Sequence, residues 1–274
     1  MPIGQRKVHS WDAEVTYGEQ GPDSAPAVLL LHGEEGPLAS KEFAAAMALE
    51  HRVVTPFIPG FGGTERLAGA DRPHQLAYVL LDLLDALHLE RVAIVGTSLG
   101  AWLGLEVGVM EPRRLTSLTA VSPVGVKLNR RDERSFAEIL VENPHAVRET
   151  LYADPELDPW LDDSDPDTKL AKAQTRESFM HYVWEPYLHN PLLPKLLPRL
   201  RDLPTLVVDG ERDGLAPSGY YDQLAERLEA ARRTISRAGH YPDIEQPGAT
   251  AAAIGTFITE ADSADLSARG KELV

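Results

Sequence analysis

A serine hydroxyl at its ordinary pKa is a poor nucleophile. It attacks a carbonyl only when a base stands within hydrogen-bond reach and a third group fixes the tautomer of that base. Three residues of this chain have the setting for those roles. Ser98 lies in Gly96-Thr97-Ser98-Leu99-Gly100, directly after the apolar run 92–95, which reads as a buried strand, and directly before a helical pattern. Glycine on either side lets a strained strand-to-helix turn pass close to neighbouring backbone, leaving the Ser98 hydroxyl proud of the sheet edge. His240 is the one of nine histidines in a Gly-flanked loop straight after a strand-like run, and it reads as the base. Asp213 closes the strand-loop segment Gly210-Glu211-Arg212-Asp213 and reads as the orienting acid. Its rival Asp209 falls within the strand end, Glu211 is less well placed, and Ser122-Pro123 offers no acid after the preceding strand. Leu99 opens the helix after Ser98, where a backbone N–H with no partner inside the helix can meet a developing negative charge.

These groups need a scaffold, and the hydrophobic pattern supplies one. Alternating stretches at 7–9 and 13–18 read as two short strands of an antiparallel sheet edge. The continuous apolar run 27–31 reads as a central parallel strand covered on both faces. A helix at 40–50, a strand at 52–55, a Pro/Gly-rich loop at 56–64 and a helix at 73–88 precede the Ser98 strand; a helix at 99–110 and a strand at 115–121 follow it. From 126 to 201 the chain is rich in Pro, Trp, Tyr, Asp and Leu and shows helical pieces without a clear strand. Strand, helix, strand and helix then resume at 204–209, 220–230, 233–236 and 248–259, and the small, charged residues 260–274 read as a flexible tail. Alternating strands and helices imply right-handed crossovers and a mostly parallel sheet.

Composition narrows the function classes. The chain has 274 residues, enough for one large α/β domain with an insertion. It contains no cysteine, so disulfides, thiolate metal cages and a cysteine nucleophile are excluded. A net charge of −15 argues against nucleic acid and anionic membranes as partners. The N-terminus leads into no apolar signal core and no apolar run approaches a membrane span, which gives the expectation of a cytoplasmic enzyme acting on a small molecule. A monomer and a homodimer are both compatible with the sequence.

In their order along the chain, His32-Gly33, Pro59-Gly60-Phe61-Gly62, Gly96-Thr97-Ser98-Leu99-Gly100, Gly210-Glu211-Arg212-Asp213 and Gly239-His240 resemble the α/β-hydrolase fold superfamily. The resemblance covers most of the chain outside the insertion. Two positions depart from it: Thr97 stands where relatives often have His before the serine, and Phe57 where many have Asp ahead of the Pro-Gly loop. The resemblance implies an eight-stranded, mostly parallel sheet flanked by helices, with core at 1–125 and 202–274 and a helical cap at 126–201. It implies a second oxyanion-hole N–H at Glu34, beside that of Leu99, and no cofactor or metal. It also places the cap over the serine, so that Phe179, Tyr182 and Trp184 are candidate substrate contacts.

With serine rather than Asp at the elbow, dehalogenase and epoxide-hydrolase chemistry is disfavoured. The activity implied is hydrolysis of a small to medium, largely apolar carboxylic ester, lactone or thioester through an acyl-enzyme. The alternative is a carbon–carbon bond hydrolase of the meta-cleavage type, which uses the same triad and which the Gly36-Pro37 pair favours. A non-catalytic ligand-binding protein on the same fold is the reading from another class. The adjacent carboxylates Glu34 and Glu35 are expected to face solvent or pair with loop groups, or else to disfavour carboxylate-bearing substrates, and residues 129–134 to start an exposed helix. Asp163-Ser164-Asp165-Pro166-Asp167 has the opening of a calcium loop but lacks its Gly and Glu, and reads as a solvated acidic loop.

Overall fold

The computed structural model describes residues 1–272 apart from Arg131, Asp162 and Asp163. Eight strands form one sheet: β1 (Ile3–Val8), β2 (Ala13–Gln20), β3 (Ala27–Leu31), β4 (Arg52–Pro56), β5 (Val92–Thr97), β6 (Leu115–Val121), β7 (Thr205–Gly210) and β8 (Ala231–Ile235). Their order is β1-β2-β4-β3-β5-β6-β7-β8. The first two strands pair antiparallel, β2 runs antiparallel to β4, and every later pairing is parallel.

The central strands are apolar throughout because both faces are covered, and every residue of β5 is buried. Alternation divides β3 between two cores. Leu29 and Leu31 join the leucines of α2 (Pro73–Ala86) and the buried face of α3 (Leu99–Met110), while Val28 and Leu30 meet Phe43 and Met47 of α1 (Lys41–Met47) and Ile254 and Ile258 of α9 (Pro247–Glu272). Helix α3 is buried from Leu99 to Val109, as expected for a helix wedged between the sheet and other helices. The remaining core helices are α7 (Tyr220–Leu228) and α8 (Pro242–Glu245).

Between β6 and β7 lie α4 (Pro144–Leu151), α5 (Pro166–Val183) and α6 (Leu193–Leu196). The two ends of this insertion meet where Gly125 N–H donates to Leu188 O and Asn190 N–H donates to Gly125 O, each at 2.9 Å. Glu106 of α3 ties the same stem down, accepting from Asn190 Nδ2 and Trp102 Nε1 at 2.8 Å each. Two local expectations fail. The described residues of 129–134 form a loop, in which Asn129 bonds Arg134 O and Ser135 Oγ rather than capping a helix. The last helix continues past residue 259 to Glu272, because Ala, Leu, Lys, Arg and Glu in this segment favour helix over coil. Leu273, Val274 and Asp163 lie outside the described residues.

Candidate active site

Strand β5 delivers Ser98 to the carboxyl edge of the sheet, and the turn there is tight. Ser98 takes φ 51°, a left-handed conformation costly for a side-chain-bearing residue, and its N–H is held by Val121 O at 2.9 Å. The flanking glycines permit the approach: a Cβ on Gly96 would lie 2.3 Å from Gly100 O, and one on Gly100 2.1 Å from Leu31 O. Ser98 itself is fully buried.

Ser98 Oγ lies 2.9 Å from His240 Nε2, and His240 Nδ1 lies 2.9 Å from Asp213 Oδ2. Asp213 also accepts from Leu215 N at 2.9 Å and from the Tyr221 hydroxyl at 2.5 Å. The carboxylate only accepts, so Nδ1 carries the imidazole proton and Nε2 is left to accept from Ser98. Burial works against the His240 imidazolium, but the charge and hydrogen bond of Asp213, with Glu34 and Asp243 behind them, outweigh it and raise the His240 pKa. Burial likewise opposes the Asp213 carboxylate; His240, Tyr221 and the Leu215 N–H override it and hold the acid low.

Both loops that carry these residues are anchored to the end of α4. His240 N–H donates to Leu151 O at 2.6 Å and Gly214 N–H to Thr150 O at 3.1 Å. Glu245 bridges the same junction, accepting from Gly239 N at 2.5 Å and Asp154 N at 2.9 Å.

Leu99 is the first residue of α3, so its N–H has no acceptor within the helix. The Gly33-Glu34 loop runs beside it: a Cβ on Gly33 would lie 3.5 Å from Ser98 Cβ. His32 fixes that loop, with Nδ1 2.7 Å from Gly33 O and Nε2 accepting from Ile58 N at 3.1 Å. Burial depresses its pKa to about 4, so it is a neutral structural residue.

The Glu34 and Glu35 side chains do not behave as the sequence suggests. Glu34 is buried, and neither of its carboxylate oxygens has a hydrogen-bond partner. Glu35 is partly buried; its desolvation, together with the charges of Glu34 and Asp158, pushes its pKa up to about 8 against the opposing pull of Tyr152 and Trp160. Both line a cavity of about 100 Å³ walled by Leu140, Val147, Leu151 and Phe179, with Tyr152, Trp160, Lys172 and Arg176 among its polar groups. Glu35, Trp160 and Thr175 also line a larger open cleft of about 830 Å³ between the Gly60–Arg66 loop and α5, so they form the neck between the two spaces.

Of the three aromatic candidates, Phe179 faces the cavity. Tyr182 instead donates its hydroxyl to Pro59 O at 2.9 Å and stacks on Phe61, a packing role under the insertion. Trp184 is 52% exposed at the C-terminus of α5 and lines neither space. Tyr152, Trp160 and Arg176 escape sequence reasoning because they come from separate segments of the insertion; only the Asp158-Pro159-Trp160 turn carries a local signal.

Among the described residues no helix is long and apolar enough to cross a membrane. The chain is 27% identical over 239 residues to the 2-hydroxymuconate semialdehyde hydrolase of Pseudomonas sp. (strain CF600), covering 81% of each chain. The structure of 2-hydroxy-6-oxo-6-phenylhexa-2,4-dienoate hydrolase from Rhodococcus sp. strain RHA1 superposes with TM-score 0.71 at 23% identity, over 96% of this chain and 99% of that one. A thermophilic esterase from Thermogutta terrifontis superposes with TM-score 0.69 at 20% identity, over 95% and 99%. These two likenesses show the fold. The sequence model of the alpha/beta hydrolase family matches residues 28–253, which include Ser98, Asp213 and His240, and the chain belongs to that family.

Proposed function

We propose that this chain is a serine hydrolase that cleaves a carbon–carbon bond beside a carbonyl in a substrate bearing a carboxylate, the class to which the Pseudomonas and Rhodococcus relatives belong by name. The observation that carries the nucleophilic chemistry is the continuous line Ser98 Oγ, His240 and Asp213, with 2.9 Å at each step. The choice of bond is supported by the relatives and by Arg176. Its guanidinium lines the cavity and bonds the carbonyls of Ile139 and Leu140, and among the described residues no carboxylate pairs with it. It is a cation available to a substrate carboxylate.

His240 takes the Ser98 proton while Oγ bonds to the carbonyl carbon, and the N–H groups of Leu99 and Glu34 receive the oxyanion. As that oxyanion collapses, the carbon–carbon bond breaks and its electron pair leaves on carbon. Such a leaving group departs only when the carbanion is delocalised into a conjugated carbonyl and receives a proton, which His240 holds on Nε2. Water, deprotonated by His240, then releases the acyl group from Ser98. Burial of Ser98 and His240 keeps bulk solvent from competing for the proton.

Hydrolysis of a neutral ester, lactone or thioester is the second reading. It is favoured by the apolar walls of the cavity and by the carboxyl groups of Glu34 and Glu35 on its lining, which oppose a carboxylate placed beside them. The test is decay of a 2-hydroxy-6-oxo-dienoate chromophore beside release of p-nitrophenol from short-chain esters, with wild type and Ser98→Ala, and phosphonate labelling of Ser98. Serine-dependent dienoate decay at a kcat/KM above that for esters supports the first reading, and ester turnover alone supports the second. A protein that neither labels nor turns over overturns both and leaves a binding protein.

A further inference from the structure

A buried carboxylate is ordinarily hydrogen-bonded or paired with a cation, since an unpartnered one loses its hydration without return. Glu34 breaks this rule beside the nucleophile. It is 8% exposed, both carboxylate oxygens are sealed from solvent without a completed hydrogen bond, the residue lines the small cavity, and its charge acts on His240. The Tyr241 hydroxyl is also buried without a completed hydrogen bond, whereas the Tyr152 hydroxyl is turned towards Glu35. Behind the larger effect of burial, Glu34 raises the Tyr241 phenol through its charge and as a neighbouring acceptor, although the two do not reach full hydrogen-bond geometry. Arg148 on the cavity wall is already committed to Asp158 at 2.7 Å.

A buried carboxylate without a completed hydrogen bond, carried by the residue after Gly33 at the Ser98 turn, describes a subsite that a substrate completes. We infer that the Glu34 carboxylate is a specificity determinant that accepts a hydrogen bond from a hydroxyl or ammonium group on the acyl part of the substrate, two or three bonds from the carbonyl under attack. Covalent geometry sets that distance, because one residue both offers its backbone N–H to the oxyanion and carries the carboxylate. Tyr152 lines the same cavity, and Leu140, Val147 and Phe179 hold the carbon chain. The inference rests on Ser98 as nucleophile and is independent of which bond is cut.

The test compares kcat/KM for the p-nitrophenyl esters of butyrate, 3-hydroxybutyrate and 3-aminobutyrate with wild type and Glu34→Gln, with phosphonate labelling of Ser98 run in parallel. A charge-assisted hydrogen bond corresponds to roughly tenfold to a hundredfold in binding. The expected result is therefore a preference of about tenfold or more for a 3-substituted ester over butyrate in wild type, cut by at least about threefold in Glu34→Gln. The preferred ester then says whether hydroxyl or ammonium is the natural donor. Equal kcat/KM for all three esters in wild type overturns the inference whatever the variant does, so it remains decidable if Glu34→Gln fails to fold. A preference that survives in a labelled, folded Glu34→Gln protein overturns it as well. Failure of Ser98 to label removes the proposed nucleophile instead, and with it the premise.

Discussion

Replacing Asp213 with Asn tests the reading of the triad more sharply than removing the serine, because it leaves every catalytic atom in place except a charge and a tautomer. Asp213 has three donors around it: Leu215 N–H on Oδ1, with the Tyr221 hydroxyl and His240 Nδ1 on Oδ2. Asparagine has one acceptor oxygen. The backbone N–H of Leu215 can only donate, so the amide oxygen must face it and the NH₂ must face Tyr221 and His240. A tyrosine hydroxyl can turn and accept, but His240 can accept at Nδ1 only by moving its proton to Nε2. That proton then points at Ser98 and blocks it from giving up its own. Loss of the charged hydrogen bond alone accounts for about 3 kcal/mol, or about a hundredfold. The wrong tautomer takes the total towards about 10⁴-fold in kcat. The assay is steady-state hydrolysis of a p-nitrophenyl ester from pH 6 to 10, with far-UV circular dichroism to show an intact fold. A loss under tenfold at neutral pH would refute the role assigned to Asp213.

Other outcomes follow from the same geometry. Gly100→Ala forces a Cβ within 2.1 Å of Leu31 O, a backbone atom that cannot step aside, and is expected to cost about 3 kcal/mol in urea denaturation. His32 is buried with its pKa depressed to about 4 from an ordinary 6.5, so the unfolded chain binds the proton first as pH falls. Stability is therefore expected to drop between about pH 6.5 and pH 4 by up to about 3 kcal/mol from this residue, and His32→Gln should flatten that slope in denaturation midpoints. Glu35 holds its proton up to about pH 8, and its ionisation above that point adds a negative charge to the cavity. KM for a carboxylate-bearing dienoate should rise above pH 8 in wild type and stay level in Glu35→Gln; a pH-independent KM in wild type would show that the substrate carboxylate lies elsewhere.

The parts of the molecule legible in the sequence are those where one local rule decides the outcome. Residues 27–31 and 92–95 are apolar at every position because both sheet faces are covered, and Gly96, Ser98 and Gly100 announce a turn that only small flanking residues can make. His240 and Asp213 are recognisable because each follows a strand at the same sheet edge. Legibility ends where the outcome depends on groups far apart in the chain. Phe179 and Tyr182 share a face of α5, yet Phe179 meets the cavity while Tyr182 meets Pro59, a difference set by the loop after β4. Two neighbouring glutamates read as solvated because charged side chains usually are; their enclosure comes from Tyr152 and Trp160, more than a hundred residues downstream.

The insertion is held to the core unequally, and this bears on how substrate reaches Ser98. Displacing the end of α4 would break His240 N–H to Leu151 O, Gly214 N–H to Thr150 O and the Glu245 bridge to Asp154, bonds that place two members of the triad. Such a motion would dismantle the site it opened. On the opposite side α5 meets the loop after β4 through the partly exposed Arg66–Glu177 ion pair, the Tyr182 hydroxyl on Pro59 O and the stacking of Tyr182 on Phe61, and His181 pairs with Asp71; none of these touches Ser98, His240 or Asp213. An exposed pair of this kind contributes at most about 1 kcal/mol. The open cleft lies on that side and meets the inner cavity at Glu35, Trp160 and Thr175. Movement at α5 would therefore leave the hydrogen bonds that position the Asp213 and His240 loops intact, whereas movement at the end of α4 would break them.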